Sequence, residues 1–395
     1  MKRLLSIVLV ATLITVPAGF AATKTIPVKS LKLLTTISNS DGFSGIVVSG
    51  ATIIAYGTLD GKAYAKAINT SGQELWNTSL ESASTSIATA GVVDSSGNIW
   101  IAGSISLPQA TATPSPSVSP LNPDSVVNPP EVFNAALNVI GLWKIEIKTS
   151  ATTLYSAQQN SPVLVTSIAI DNNGISLAGI TKSGKGSSGI VINANLKGEF
   201  GQAVIVGEAS TTLESIVRHS DGTLTVVGAS AETLGGKKRL GLVDGVIIKI
   251  SKSGSMTSVV RSSAPKAVRN WSSATSSLLL GGEVTINAKT ESAITKFSRA
   301  FSPTWTYRFA STGPTFTSSQ TYAFFSSTAV ISQLRNWAPK KSQPILIAFD
   351  GKGAITGAFS APSDQQEVVA LVESKTLGVL CLTSDADFTS IFTLP

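Results

Sequence analysis

A five-residue phrase, apolar-x-apolar-x-Gly, repeats along the chain and limits the fold more than any other feature. Clear copies are IIAYG (53–57), IWIAG (99–103), ISLAG (175–179), LTVVG (224–228) and LLLGG (278–282). Two weaker copies, at 329–333 and 377–381, lack the glycine. The fifth positions are separated by 46, 76, 49, 54, 51 and 48 residues. A period near 50 built from β-rich segments predicts propeller blades.

Each phrase occupies the second place in a recurring order of four β-rich segments. An apolar segment and a tight turn precede it, such as DSSG (94–97) or DNNG (171–174), and such turns are typical of hairpins. A third and a fourth segment follow. The sequence therefore predicts an all-β, seven-bladed β-propeller of four-stranded antiparallel blades. The expected blades are 43–82, 84–158, 163–207, 212–262, 266–311, 317–360 and 366–395.

The last unit stops after its third segment, which leaves one blade a strand short. Residues 25–37 form a β-rich run that belongs to no other blade. Because an open ring would leave unpaired strand edges, we expect this N-terminal strand to close the ring as the outermost strand of blade seven.

The N-terminal residues predict export. Lys2 and Arg3 precede an apolar run at 4–16, and Gly19 and Ala21 fit the small-residue rule for cleavage. We predict a signal peptide at 1–21 and a single propeller domain at 22–395, in a bacterial protein that is secreted, periplasmic or at the cell surface. The apolar run is shorter than the roughly 20 residues of a membrane-spanning helix. The single cysteine, Cys381, is expected to be a small core residue.

The one long interval in the repeat is explained by a proline-rich insertion. Residues 106–133 contain seven of the 17 prolines, and removing these 28 residues restores the ordinary period. Proline cannot donate to a β-ladder, so we expect a loop between the second and third strands of blade two. It is either a tolerated surface insertion or an arm that contacts a partner.

One segment resembles a known repeat. Residues 67–76 (AINTSGQELW) are similar to the Ala-x-Asp/Asn-x-x-Gly-x-x-x-Trp signature of quinoprotein-type (PQQ-like) propeller repeats, and the chain also resembles other secreted bacterial propeller repeat proteins. The resemblance implies a propeller in which the signature packs adjacent blades together. It implies no quinone, since many proteins with this signature bind none, and no cofactor is expected.

The composition restricts the chemistry that the chain could perform. With one histidine (His219) and one cysteine, no thiol and imidazole metal cage can form, and a Ser-His-Asp triad would have to use a histidine beside a turn. We therefore assign no catalytic and no metal-binding residue. Carboxylate-only chemistry stays open, although the 23 acidic residues show no recurring pair. The net charge of +7 is too weak to imply nucleic acid.

The strongest candidate for a binding surface is a set of cations in loops that a propeller places on one face. These loops join second to third strands in blades three, four and six. The candidate binding residues are Lys182, Lys185, Lys237, Lys238, Arg239, Arg335, Trp337, Lys340 and Lys341. Only Glu232 and Asp244 oppose them in sequence, and Trp337 is expected to offer a flat face for stacking on a sugar or a partner.

Three functions are compatible with these features. The favoured one is an exported binding or scaffolding module at the cell exterior, with an anionic polysaccharide or an envelope protein as its partner. A carboxylate-dependent glycosidase or lyase, or a quinoprotein-like oxidoreductase, is the first alternative and would need acids that converge in the central funnel. The second alternative is a subunit of an envelope complex that makes contact through the proline-rich arm.

Overall fold

The structure is a computed structural model that describes residues 25–39, 42–80, 82, 84–106, 136–319 and 321–395. These residues form β-strands joined by turns and loops, and no α-helix occurs among them. In the same part of the chain, no helix reaches the length and apolar character that crossing a bilayer requires. The predicted signal peptide and nearly all of the proline-rich insertion lie outside the described residues.

Two strands precede the blades, β1 (Ile26–Ser30) and β2 (Lys32–Ser38). The first four blades are then built from consecutive strands, ordered from the innermost to the outermost. Blade one contains β3 (Phe43–Ser49), β4 (Thr52–Leu59), β5 (Lys62–Ile68) and β6 (Glu74–Ser79). Blade two contains β7 (Ser86–Val93), β8 (Ile99–Ile105), β9 (Val139–Ile145) and β10 (Thr152–Gln158). Blade three contains β11 (Val163–Asp171), β12 (Gly174–Ser183), β13 (Gly186–Ala194) and β14 (Val204–Val206). Blade four contains β15 (Thr211–Arg218), β16 (Leu224–Ser230), β17 (Asp244–Ile250) and β18 (Met256–Ser262).

Among the last three blades, blades five and six share one long strand. Blade five contains β19 (Val268–Ala274), β20 (Leu279–Ile286), β21 (Lys289–Phe297) and the first half of the long strand β22 (Pro303–Ser318). The second half of β22 is the innermost strand of blade six, followed by β23 (Tyr322–Ser327), the short β24 (Leu334–Arg335), β25 (Gln343–Phe349) and β26 (Ile355–Ser360). Blade seven contains β27 (Glu367–Ser374), β28 (Gly378–Ser384) and β29 (Phe388–Thr393).

The seven blades form a closed ring. Each innermost strand contacts the innermost strand of the next blade, from β3 through β7, β11, β15, β19 and β22 to β27, and β27 contacts β3 again. The predicted seven-bladed propeller is therefore confirmed, with blade boundaries close to those expected from the sequence.

The N-terminal segment closes the ring, but only its second half does so. Strand β2 pairs antiparallel with β29, with Lys32 opposite Thr393 and Ser38 opposite Phe388, as the outermost strand of blade seven. Strand β1 instead adds to blade six, parallel to β26. The side chains of its Ile26 and Val28 pack against the core of that blade, which explains why this half leaves blade seven.

The repeat glycines stand where the second strand passes closest to the first. Most of the innermost strands contain a single-residue β-bulge, and Gly103 pairs with Ala88, the residue just before one of them. A β-carbon on Gly103 would lie 1.8 Å from the carbonyl oxygen of Ile87, and one on Gly228 would lie 2.1 Å from that of Thr212. Only glycine fits such an approach without a shift of the backbone.

The structure contradicts the predicted positions of the two weaker copies of the phrase. In blades six and seven the residue opposite the start of the bulge is Ser326 and Thr383, respectively. Residues 329–333 instead follow β23 in a loop, and the copy at 377–381 is two residues out of register. Without the glycine, apolar alternation alone does not fix the register of a strand.

The core lies between and within the blades, as the strand patterns predicted. Trp100, Trp143 and Trp271 are fully buried, as expected for tryptophans that fall within strands. Cys381 is buried as well, and burial raises the pKa of its thiol far above its ordinary value. The predicted role of Cys381 as a small core residue is confirmed.

The topology gives the ring two distinct faces. We call "loop face" the side formed by the loops between second and third strands and by the connections between blades. The opposite side, the "turn face", is formed by the hairpin turns between first and second and between third and fourth strands. The proline-rich insertion leaves the ring on the loop face, between Ile105 and Val139, which pair with each other across β8 and β9.

Candidate functional site

The nine candidate binding residues all lie on the loop face, in loops or at the strand ends next to them, and eight of them are exposed. Lys182 and Lys185 lie at the β12–β13 hairpin of blade three. The three consecutive cations 237–239 lie between β16 and β17 of blade four, and the remaining candidates lie between β23 and β25 of blade six. The structure thus brings the predicted cations to one face, as the loop geometry required.

Trp337 is the exception, and the prediction of an exposed stacking face is wrong for this residue. Its side chain is only 7% exposed and packs in the blade-six core with Ile331 and Leu334 of the same loop. The indole N–H donates a hydrogen bond to Ser327 Oγ at 3.2 Å. Its burial follows because the loop folds back over the blade and uses the indole as an anchor.

The cationic loop of blade four is built around a buried ion pair. Asp244 is fully buried, and Arg261 Nη1 lies 3.1 Å from Asp244 Oδ2. The two Asp244 oxygens also accept the backbone N–H groups of Leu240 and Gly241 at 3.0 and 2.9 Å. Arg261 Nε donates to the carbonyl oxygen of Lys237 at 3.1 Å. The loop is therefore held from inside by charges that are satisfied.

Ionisation of Asp244 is favoured in spite of its burial. Burial alone would raise the pKa of this carboxyl, but hydrogen bonds, among them those from Gly241, Leu240 and Arg261, outweigh that effect and lower the pKa below its ordinary value. The charge of Asp244 therefore interacts with groups inside the loop.

The other acid of this loop, Glu232, is also used internally. Its carboxylate accepts the backbone N–H groups of Glu208, Ala209 and Ser210 at 3.0, 3.2 and 3.1 Å and the hydroxyl of Thr211 at 2.6 Å. Burial opposes ionisation, but these hydrogen bonds prevail and lower the pKa of Glu232. Its contribution to stability is therefore complete above the ordinary Glu pKa of about 4.3 and is lost as the pH falls through the lower folded value.

As a result, the candidate cations of the loop face have few ion-pair partners among the described residues. The two acids that oppose them in the sequence both point inward. Among the described residues, the only ion pair of a candidate cation is Lys185 with Glu208, 3.8 Å apart, and both side chains are more than three-quarters exposed. A pair this exposed contributes little.

The turn face contains a second, smaller group of cations. A cleft of about 530 Å³ is lined by Arg218, His219, Lys249 and Arg299, with Asp221 as its acid. Arg218 is engaged by Asp171 of blade three at 3.1 Å. His219 Nε2 lies 2.8 Å from Thr225 Oγ1, and burial lowers the pKa of the imidazole. His219 is thus neutral near pH 7 and held beside its turn.

Two neighbouring blades contribute a pair of acids that the sequence analysis did not single out, Glu214 on the innermost strand β15 and Glu283 on β20, the second strand of blade five. Glu214 occupies the bulge of β15, where the corresponding Thr89 and Thr166 donate to the next blade at 2.7 Å. Burial, and then the charge of Glu283, raise the pKa of Glu214. The pair escaped notice because its members come from different blades and are 69 positions apart in the sequence. No group of three metal-binding side chains occurs within the described ranges.

Comparisons with known proteins give a fold likeness alone. No protein-family model matches the sequence, and no curated protein matches it. Among solved structures, the chain is similar to a 6-phosphogluconolactonase-like protein of Bacteroides fragilis, with 11% identity, a TM-score of 0.48 and coverage of 85% of this chain and 87% of that one. A similar protein of Bacteroides uniformis gives 9% identity, a TM-score of 0.48 and coverage of 85% and 89%. At this level of sequence identity, a similar fold says nothing about ligand or activity. The function therefore has to be argued from this chain's own residues.

Proposed function

We propose that this protein is an exported propeller that binds an anionic polymer, such as an acidic envelope polysaccharide, on its loop face. The observation that carries the proposal is that Glu232 and Asp244 are bound within the protein, which leaves Lys237, Lys238 and Arg239 with no ion-pair partner among the described residues. Three adjacent, exposed cations on a loop that is fixed from below attract polyanions over several ångströms.

Further cations on the same face extend this surface to neighbouring blades. Lys182 and Lys185 lie on blade three, and Arg335, Lys340 and Lys341 lie on blade six; all five are exposed. A polymer can occupy several such positions at once, so contacts that are individually weak add up along one chain. The propeller supplies the rigid ring that keeps the positions at fixed separations.

Export is the part of the proposal that rests on sequence alone. Lys2, Arg3 and the apolar run at 4–16 support it, together with the lone buried cysteine. Sequencing the N-terminus of protein recovered from outside the cytoplasm tests it directly. A mature chain that begins near Ala22 is expected, and a chain that retains Met1 would contradict export.

The binding test compares mature protein on polygalacturonate and on its methyl ester, which lacks the charge. Charge reversal at Lys237, Lys238 and Arg239 to Glu is expected to weaken polygalacturonate binding about tenfold or more, with the effect shrinking as salt rises from about 50 to 500 mM. The matched control reverses Lys197, Lys252 and Lys352, three exposed lysines of the turn face. Equal losses in both triple variants, or no loss in either, would refute a loop-face site.

A carboxylate-dependent enzyme is a second candidate, which the raised pKa of Glu214 beside Glu283 favours. Glycoside cleavage uses two carboxyl groups, and the one that acts as the general acid has a raised pKa. The test incubates the protein with acidic and neutral polysaccharides and measures new reducing ends. Activity that Glu214→Gln abolishes would support the enzyme, and no release above a heat-treated control would eliminate it.

A further inference from the structure

The exposed apolar side chains of the ring are concentrated on the loop face. Six of the large ones lie in or directly beside loops of this face, whereas the turn face has Leu196 and Met256 among the described residues. The six are Leu59, Leu240, Leu242, Val268, Val330 and Phe388. Leu240 is 76% exposed and Leu242 is 56% exposed. Single exposed apolar side chains are ordinary, but neighbouring ones rimmed by polar groups are typical of an interaction site.

Two of these leucines belong to one compact patch, which we call the blade-four tip. It consists of Leu240, Leu242 and Val268 together with the exposed cations Lys237, Lys238, Arg239 and Lys266. The backbone N–H of Leu242 donates to the carbonyl oxygen of Ala267 at 2.8 Å, and that of Arg269 donates to Val243 at 3.0 Å. These bonds join the loop to the start of β19 and bring Val268 alongside.

The loop cannot easily turn its leucines inward, because its backbone is fixed on both sides. Asp244 binds the N–H groups of Leu240 and Gly241 from the interior. At its other end, Leu234 and Lys237 form a two-residue hairpin with mutual backbone hydrogen bonds of 2.9 and 3.1 Å, and Leu234 is buried. The two leucines are therefore presented to the solvent by a braced loop.

The exposed charges of the blade-four tip have one sign, because the acid closest to the leucines, Asp244, is buried. Arg239 Nη1 donates to the carbonyl oxygen of Leu242 at 3.0 Å, so its guanidinium lies beside the apolar group. Most exposed acids of the loop face lie on blade seven, at the far side of the ring from blade four: Asp364, Glu367, Asp385 and Asp387. Of the other two, Asp60 lies on blade one, and Glu208, in the connection from blade three to blade four, pairs with Lys185.

We propose that the blade-four tip docks on the surface of a lipid bilayer that contains anionic headgroups. Leucines at the end of a braced loop enter the boundary between headgroups and acyl chains, while the surrounding cations contact the phosphates. The cations fit any polyanion, and the exposed leucines select this occupant, because a hydrophilic polysaccharide would use the cations and leave the leucines in water. The inference goes beyond the polymer binding proposed above and makes the protein peripheral to a membrane.

The test measures co-sedimentation of the mature protein with vesicles of phosphatidylcholine, alone or with about one-third phosphatidylglycerol. We expect binding to the anionic vesicles only, and a loss of about tenfold or more for the double variant Leu240→Ser with Leu242→Ser. The control variant, Leu75→Ser with Leu154→Ser, changes leucines that are 51% and 38% exposed on outermost strands. It is expected to bind like the wild type. Thermal melts of both variants should match the wild type, since all four side chains are exposed.

The outcomes separate this inference from the polymer proposal. If charge reversal at 237–239 abolishes vesicle binding but the leucine variant binds normally, the surface is only an adsorber of polyanions and bilayer docking is overturned. If the leucine variant fails on vesicles while no form binds polygalacturonate, bilayer docking holds and the polymer proposal fails. Absence of binding to either vesicle type overturns the inference.

Discussion

At the scale of single residues, the close approach of two backbones explains the feature that repeats most clearly in the sequence. A glycine in the second strand faces the carbonyl group that precedes the bulge of the first strand, as Gly103 faces Ile87. The bulge in turn directs a side chain toward the next blade, as when Thr89 donates to the carbonyl oxygen of Val165 at 2.7 Å. The glycine therefore supports contacts between blades as well as within one.

Gly103→Ala is expected to lower the free energy of unfolding by about 1–3 kcal/mol, because the added methyl group forces the two strands apart. Urea denaturation monitored by tryptophan fluorescence measures the change. Gly351→Ala is the control, since no atom lies within 4 Å of the added carbon, and its effect should stay within about 0.5 kcal/mol. Equal effects at the two positions would contradict this role of the repeat glycine.

The exposed cations could be predicted from the sequence, because a lysine in a polar loop has little reason to be buried. The orientation of Trp337 could not, since it depends on Ile331 and Leu334 anchoring the same loop to the blade-six core. The hydrogen bonds of Glu232 could not be predicted either, because its partners lie more than 20 positions earlier in the chain.

At the scale of strands, the N-terminal segment does two separate tasks. Strand β2 supplies the missing edge of blade seven and buries Ile37 in the core. Strand β1 extends blade six beyond its fourth strand. The sequence predicted a single closing strand because residues on both sides of Ser30 alternate in the same way. The parallel partner of β1 lies more than 300 positions away, where no local pattern indicates it.

Truncation separates the two tasks. A mature chain that starts at Leu31 loses only β1, and we expect its melting temperature to fall by a few degrees. A chain that starts at Asn39 also loses β2 and exposes the edge of β29, so its melting temperature should fall by more than about 10 °C or folding should fail. Calorimetry of both truncated chains beside the full mature chain is the measurement. Identical melting temperatures for all three would show that β2 does not secure the ring.

At the scale of the whole molecule, the sequence predicted the number, order and boundaries of the blades. The reason is that most blades repeat the same local pattern, which consists of a hairpin turn, a glycine in the second strand and a third apolar strand. Relations between blades were less visible. The pair of Glu214 and Glu283 arises only because the ring brings consecutive blades side by side.

The proline-rich insertion can be removed without opening a blade, since the residues next to it are already paired. Replacing residues 107–135 by an Asn-Gly turn should leave the melting temperature within about 2 °C of the wild type. If the protein is a subunit of an envelope complex, the same variant should lose its partner in a pull-down from solubilised envelopes. A large drop in melting temperature would show instead that the insertion stabilises the ring.

The pairing of β2 with β29 also constrains how the protein can be made. Directly after β2, the side chain of Asn39 accepts a hydrogen bond from Thr389 of β29, across 350 positions of the sequence. During translation the earliest β-segment emerges long before its partner, and it has to wait unpaired while six blades are synthesised. At ordinary elongation rates, the unpaired edge of β2 stays exposed for roughly tens of seconds. We therefore expect the nascent chain to bind a holding chaperone during this time.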